Sequence, residues 1–259
     1  MHYGVKGDIM KLYVGTSGYS YKQWKGNFYP EDLSDKEMLR YYGKQLPSVE
    51  INNTFYRLPN ESVLKSWAEQ VPPDFRFSIK ASQRITHMKR LKDAGDETEY
   101  LLHTVRVLGP SLGVMLFQLP PNFKKDLPRL EQFLKLFPGD TRIAFEFRHA
   151  SWFEEDVFQC LRASGCALCI ADADDELQIP FVGTAPWGYI RLRREEYSKA
   201  DLSKWMKKVQ EQKWESTFVF FKHEDEGIGP KLAKQFLGLA DRGVEEKESA
   251  PARKPGRKG

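Results

Sequence analysis

The sequence predicts an α/β protein of the TIM-type (β/α)8 barrel class, with one unit degraded between the sixth and seventh strands. Three observations carry this. Short apolar runs recur eight times and most are followed by a helix-like segment, the alternation of a parallel sheet that closes on itself. No GxGxxG or GxxxxGK[ST] follows any of the runs, so nothing supports an open nucleotide-binding sheet. Four of the runs alternate apolar with charged residues, as strands do when one face meets helices and the other carries polar groups.

Taken in order, the first strand is Leu12–Gly15, and Ser34–Gln45 is the first helix, with Ser34 at its N-cap. Ser48–Asn52 follows, its β-branched Val49 and Ile51 alternating with Glu50 and Asn52, and Asn60 then caps the helix Asn60–Gln70. Arg76–Lys80 is the third strand, and Glu97–Leu108 the helix closed by Gly109. Gly113–Gln118 leads through the rigid LPP segment to a helix over Asp126–Leu136, with Asp126 as cap. Ile143–Arg148 precedes Glu154–Ala163, which Gly165 terminates. Ala167–Ala171 is the sixth strand. The connection after it carries Asp172, Asp174, Asp175, Pro180 and Pro186 and shows no convincing helix, which marks the degraded unit. Gly188–Arg193, the helix Lys199–Gln212 capped by Ser198, the strand Thr217–Lys222 and the helix Pro230–Leu239 complete the chain.

Strand parity assigns the faces. Val49 and Ile51 face the helices, so Glu50 and Asn52 face the barrel axis. Phe77 and Ile79 point out, and Arg76, Ser78 and Lys80 in. Ile143, Phe145 and Phe147 point out, and Glu146 and Arg148 in. Ile190 and Leu192 point out, and Tyr189, Arg191 and Arg193 in. Gln118 ends the fourth strand, and the parity of Asp172 is not fixed. A barrel interior is normally filled with branched aliphatic side chains, and an unpaired buried charge is costly. Charges from several strands therefore predict a site at the C-terminal mouth, with a closed structural ion network as the competing reading. Catalytic candidates are Glu146, Glu50 and Lys80: two carboxylates divide acid and base roles when their environments split their pKa values. A lysine among cations acts as base or imine former. Binding candidates are Thr16, Asn52, Asn53, Tyr56, Thr86, His87, Gln118, Arg148, His149, Trp152, Asp172 and Arg191, with the arginines suited to phosphate or carboxylate. Arg148, beside Glu146 on one face, is expected to hold that carboxylate ionised when the site is empty.

The chain of 259 residues is long enough for a sizeable core, and without an internal linker it reads as one barrel domain over residues 10–242. Met10 is a candidate start. Residues 243–259 read as a disordered basic tail. Its Arg253, Lys254, Arg257 and Lys258 account for the whole formal charge of +4, so the body gives no large nucleic-acid footprint. No apolar run reaches membrane-spanning length and no secretory leader opens the chain, which predicts a cytoplasmic protein with no membrane partner. Cys166 and Cys169 form a CxxC, but three residues apart on a strand they point to opposite faces, against a metal or redox pair. No HxH or HExxH occurs, so no metal ligands are assigned, and no cofactor is identifiable.

The segments GTSGYSYKQWKGNFYP, VEINNTFYRLP, FRFSIKASQRITHMKRL, LGVMLFQLPPNF and AFEFRHASWF, in this order, resemble the YecE-like family, a domain of unknown function. The resemblance runs from about Leu12 to about Leu239. It implies a TIM-type barrel and a site at its mouth, and no reaction. Family members often carry an Asn-Asn pair after the last strand, where this chain reads Lys222-His223-Glu224. The functional expectation is an enzyme acting on a small anionic or nucleotide-like substrate by general acid/base chemistry. A nucleic-acid-binding or -processing protein, using Arg84, Lys89, Arg90 and Lys92 beside aromatics, is the first alternative. A non-catalytic ligand sensor is the second.

Overall fold

A computed structural model describes residues 10–173, 177–222 and 226–249. Eight parallel strands close into a barrel in sequence order: β1 (Lys11–Ser17), β2 (Ser48–Ile51), β3 (Arg76–Lys80), β4 (Leu112–Gln118), β5 (Ile143–Glu146), β6 (Ala167–Asp172), β7 (Trp187–Leu192) and β8 (Ser216–Phe221). The closing pair is β1 with β8, in register from Lys11 opposite Ser216 to Thr16 opposite Phe221. The helices outside it are α1 (Met38–Gln45), α2 (Glu61–Gln70), α3 (Gly95–Val105), α4 (Leu127–Leu134), α5 (Glu155–Ala163), α6 (Lys199–Gln210) and α7 (Ile228–Ser249). Among the described residues between β6 and β7 there is no helix, so the expected degraded unit is present; Asp174 and Asp175 lie outside the described residues.

The caps explain most helix starts. Asn60 accepts from the Val63 N–H, Asp126 from the Arg129 N–H, and Ser198 with Asp201 forms a reciprocal capping box. Ser34 does not cap α1: it precedes a 3-10 turn over Asp35–Glu37 and makes no side-chain cap bond. Helix α3 tightens into a 3-10 segment over Arg106–Ser111, where Gly109 takes φ 52°. Strand β5 ends at Glu146, earlier than the sequence suggests, because its ladder to β6 holds only Ala144 and Phe145. Helix α7 begins before Pro230 and continues past Leu239 to Ser249; residues 250–259 of the basic tail lie outside the described residues.

Parity divides the core as expected. Val49, Ile51, Phe77, Ile79, Phe145, Phe147, Ile190 and Leu192 pack between sheet and helices. Val114, Leu116, Ala144, Ala167, Cys169, Trp187, Tyr189, Phe218 and Phe220 fill the barrel. Tyr13 stacks on Phe218 with centroids 4.7 Å apart, and Arg76 lies over the Tyr13 ring at 5.5 Å. The lower interior is thus an aromatic plug, which leaves the polar inward residues at the opposite, C-terminal end. Cys169 faces the barrel and Cys166 the helix layer, and both are unbridged.

Candidate functional site

Above the aromatic plug, one guanidinium joins two buried carboxylates. Arg191 donates from Nη2 to Glu50 Oε1 at 2.8 Å and from Nη1 to Glu146 Oε2 at 2.5 Å. Glu50 also accepts from Ser17 Oγ (2.7 Å), Asn52 Nδ2 (3.0 Å) and the Tyr189 hydroxyl (2.7 Å). Glu146 also accepts from Gln118 Nε2 at 2.8 Å and lies 3.6 Å from Arg193 Nη2. Burial opposes the ionised form of both acids, but Arg191 and the convergent donors overcome it. Glu50 is held below the usual carboxylate range, and Glu146 is pulled down to about 2.

The two environments shift both carboxyl pKa values in the same direction, downward, rather than splitting them apart. The cations on Glu146 are Arg191 on β7 and Arg193 just after it, not the nearby Arg148, which among the described residues makes no ion pair or hydrogen bond. Arg148 lies just beyond the end of β5, half-buried, and its positive charge is felt at His87.

Lys80 ends β3, half-buried, with its ammonium 4.5 Å above the Phe55 ring. It forms no ion pair with either glutamate. Desolvation, then Arg191, push the amine down to about 8, against the opposing pull of Glu50 and Glu146. The chain after Lys80 is strained. Arg84–Met88 forms a π-turn, and Arg90, Leu91 and Asp93 adopt φ of 49°, 67° and 48°. Such features concentrate where a loop must hold side chains in set positions. This loop carries Thr86, whose hydroxyl donates to the Ser82 carbonyl at 3.2 Å and lies 2.9 Å from His87 Nδ1. These contacts fix the orientation of the His87 ring, and Nδ1 donates to or accepts from the hydroxyl according to the tautomer. Burial, then Lys80 and Arg148, depress the His87 pKa, so the ring is neutral. Its edge meets the same Phe55 ring that Lys80 covers, at 4.9 Å between centroids.

Other candidates sit apart from this cluster. Thr16 faces the helix layer, bonded to the Tyr42 hydroxyl at 2.8 Å, because its parity follows Val14. Asp172 follows Leu168 and Ile170 outward and accepts from Arg194 Nε (2.9 Å) and Trp205 Nε1 (3.1 Å). Trp152 is fully buried, stacked 4.6 Å from Phe147 with its indole N–H on the Phe123 carbonyl, and offers no face to a ligand. Asn53 borders a shallow cavity with Gly18, Tyr21 and Trp67. Tyr56, 75% exposed, borders a groove of about 560 Å³ with Arg84 and Tyr100. His149 Nδ1 accepts from the Ser151 N–H at 3.1 Å and so caps a short turn beside the rim. Three contributors escaped the candidate list. Ser17 was legible from the parity of Leu12 and Val14, had β1 been carried past Gly15. Tyr189 and Arg193 were assigned inward without a role. His223 and Glu224, the departure after β8, lie outside the described residues.

Among the described residues no group of three or more His, Cys, Asp or Glu could hold a metal ion, and no helix is long and apolar enough to cross a membrane.

The fold and the inward charges define a (β/α)8 barrel with a polar C-terminal mouth above a packed interior. Residues 13–255 match the family described as "Protein of unknown function DUF72", and the chain belongs to that family. It is 27% identical over 271 residues to the UPF0759 protein YunF of Bacillus subtilis (strain 168), covering 89% of this chain and 95% of that protein. It is 32% identical over 143 residues to the UPF0759 protein YecE of Escherichia coli (strain K12), covering 55% of this chain and 50% of that protein. A crystal structure of a DUF72 family protein from Thermotoga maritima superposes with TM-score 0.79 at 28% identity, covering 89% of this chain and 99% of that one. One from Enterococcus faecalis shares the fold at TM-score 0.74 and 19% identity, covering 90% and 96%.

Proposed function

We propose that the barrel mouth binds a small anionic ligand, and that Lys80 is the group that moves a proton on it. One observation supports this reading. The two buried carboxylates are taken up by Arg191 and Arg193, while Lys80 and Arg148 stand at the same mouth with no carboxylate of their own. Among the described residues, the open side therefore carries cations that no carboxylate pairs. Arg191 Nε and Arg193 Nε, both buried, have no acceptor among the described residues and add donors for an oxyanion. Glu50 and Glu146 then act as positioning residues that fix Arg191, and Lys80, with its pKa of about 8, exchanges a proton near neutral pH. On this proposal the protein is an enzyme, in a cytoplasmic setting that suits three unbridged thiols.

The nucleic-acid alternative has less support, because Arg84 and Lys89 are both paired with Glu97, at 3.5 and 2.7 Å. The test is a thermal-shift titration with inorganic phosphate, pyrophosphate and a simple carboxylate. Wild type should be stabilised in a saturable way by at least one anion, and Lys80→Gln and Arg148→Gln should each lose most of that response. No saturable stabilisation of wild type at millimolar anion would reject the reading.

A further inference from the structure

Lys80 differs from an ordinary surface lysine in its surroundings. Its amine has no hydrogen-bond or ion-pair partner among the described residues and is fixed over an aromatic face. An imidazole whose pKa is depressed meets the same ring, on a loop held in a π-turn. A lysine serving only as a charge would gain from pairing with Glu50 or Glu146, which instead converge on Arg191. We propose that the substrate of this site is an anion bearing an aldehyde or ketone, and that Lys80 Nζ forms an imine with it while Arg148 holds the anionic group. This rests on the anion reading above and names its substrate class.

The chemistry balances without a further reagent. The neutral amine adds to the carbonyl carbon, forming the C–N bond as the C=O π pair moves to oxygen. His87 Nε2 takes a proton from the resulting ammonium nitrogen and delivers it to the alkoxide, giving a neutral carbinolamine. The nitrogen lone pair then forms C=N as the C–O bond breaks, and the remaining N–H proton passes through His87 Nε2 to the departing oxygen, which leaves as water. Both protons of the amine end in the water lost, and His87 returns to its starting form. Desolvation supplies the neutral amine that the first step needs.

The experiment uses the full chain with two probes, pyridoxal 5′-phosphate and pyridoxal, reduced with borohydride and mapped by peptide mass spectrometry. Lys80 should be labelled by the phosphate-bearing aldehyde faster than the other lysines by about tenfold or more, given its larger neutral fraction. Inorganic phosphate should suppress that labelling, and Arg148→Gln should bring it down to the rate seen with pyridoxal. Phosphate stabilisation with Lys80 labelled no faster than other lysines would overturn the imine while the anion site stood. Preferential labelling by both aldehydes, indifferent to phosphate and to Arg148, would keep a reactive lysine but overturn the anionic substrate class.

Discussion

At the residue scale, the arginines at the mouth have opposite relations to their surroundings. Arg191 is buried between two carboxylates, so removing it strands both; Arg191→Gln should cost ~3–5 kcal/mol, read as a drop in the urea midpoint. Arg148 has no such partner, and Arg148→Gln should change stability by less than ~0.5 kcal/mol while removing the response to phosphate. A large stability loss at Arg148 would give it a structural role. The glutamates set an acid limit. Glu146 titrates at about 2 in the fold against 4.5 as its ordinary value, so its contribution is complete above about 4.5 and is lost as the pH falls through about 2. That shift corresponds to ~3 kcal/mol, and Glu50 adds in the same direction. Urea midpoints measured from pH 7 to 2 should stay flat to about pH 5 and then fall steeply. Glu146→Gln should start lower and fall less. Lys80 works the other way: its depressed pKa costs stability at neutral pH, a cost relieved as the pH rises through about 8. Lys80→Gln should therefore stabilise the free protein, by ~1 kcal/mol after allowance for solvent screening, even as it abolishes ligand response.

At the element scale, the barrel depends on close strand contacts that sequence patterns mark only weakly. A Cβ at Gly15 would lie 1.8 Å from the Ser48 carbonyl oxygen, on backbone that cannot yield. Gly15→Ala should force β1 and β2 apart where Gly15 pairs with Ser48, costing upwards of ~3 kcal/mol; near-wild-type stability in thermal melts would contradict the packing. Ser198→Ala removes one half of a capping box and should cost ~1 kcal/mol, detectable in the same assay. Strands are legible because period-two alternation is strong where one face meets helices: Val49 and Ile51 against Glu50, or Ile190 and Leu192 against Arg191, place the inward charges. The loop after β3 was legible only as a basic, polar stretch. Its π-turn and its left-handed Arg90, Leu91 and Asp93 have no periodic signature, since tertiary contacts set backbone there. Asp172 and Thr16, whose faces the sequence leaves unassigned, turn toward the helix layer for a simpler reason. One shift of parity moves a side chain from the mouth to the helix layer, and neither strand was followed to its end.

At the scale of the whole molecule, the barrel is filled in two tiers. Aromatics pack its lower part, and a tied set of ions occupies the upper part. The sequence indicated which charges enter the barrel; it did not indicate which would pair, because pairing depends on the strand order around the ring. Glu50 on β2 and Glu146 on β5 meet through Arg191 on β7, and no spacing along the chain encodes that triangle. Lys80, without a partner among the described residues, is the responsive member of this tier. The most direct measurement is an NMR titration of the Lys80 Nζ and Cε resonances from pH 6 to 11, in the presence and absence of inorganic phosphate. The account predicts a midpoint near 8 in the free protein, and a rise when phosphate binds, since an adjacent anion favours the ammonium form. A midpoint near 10.5, the ordinary value for lysine, unmoved by phosphate would contradict it.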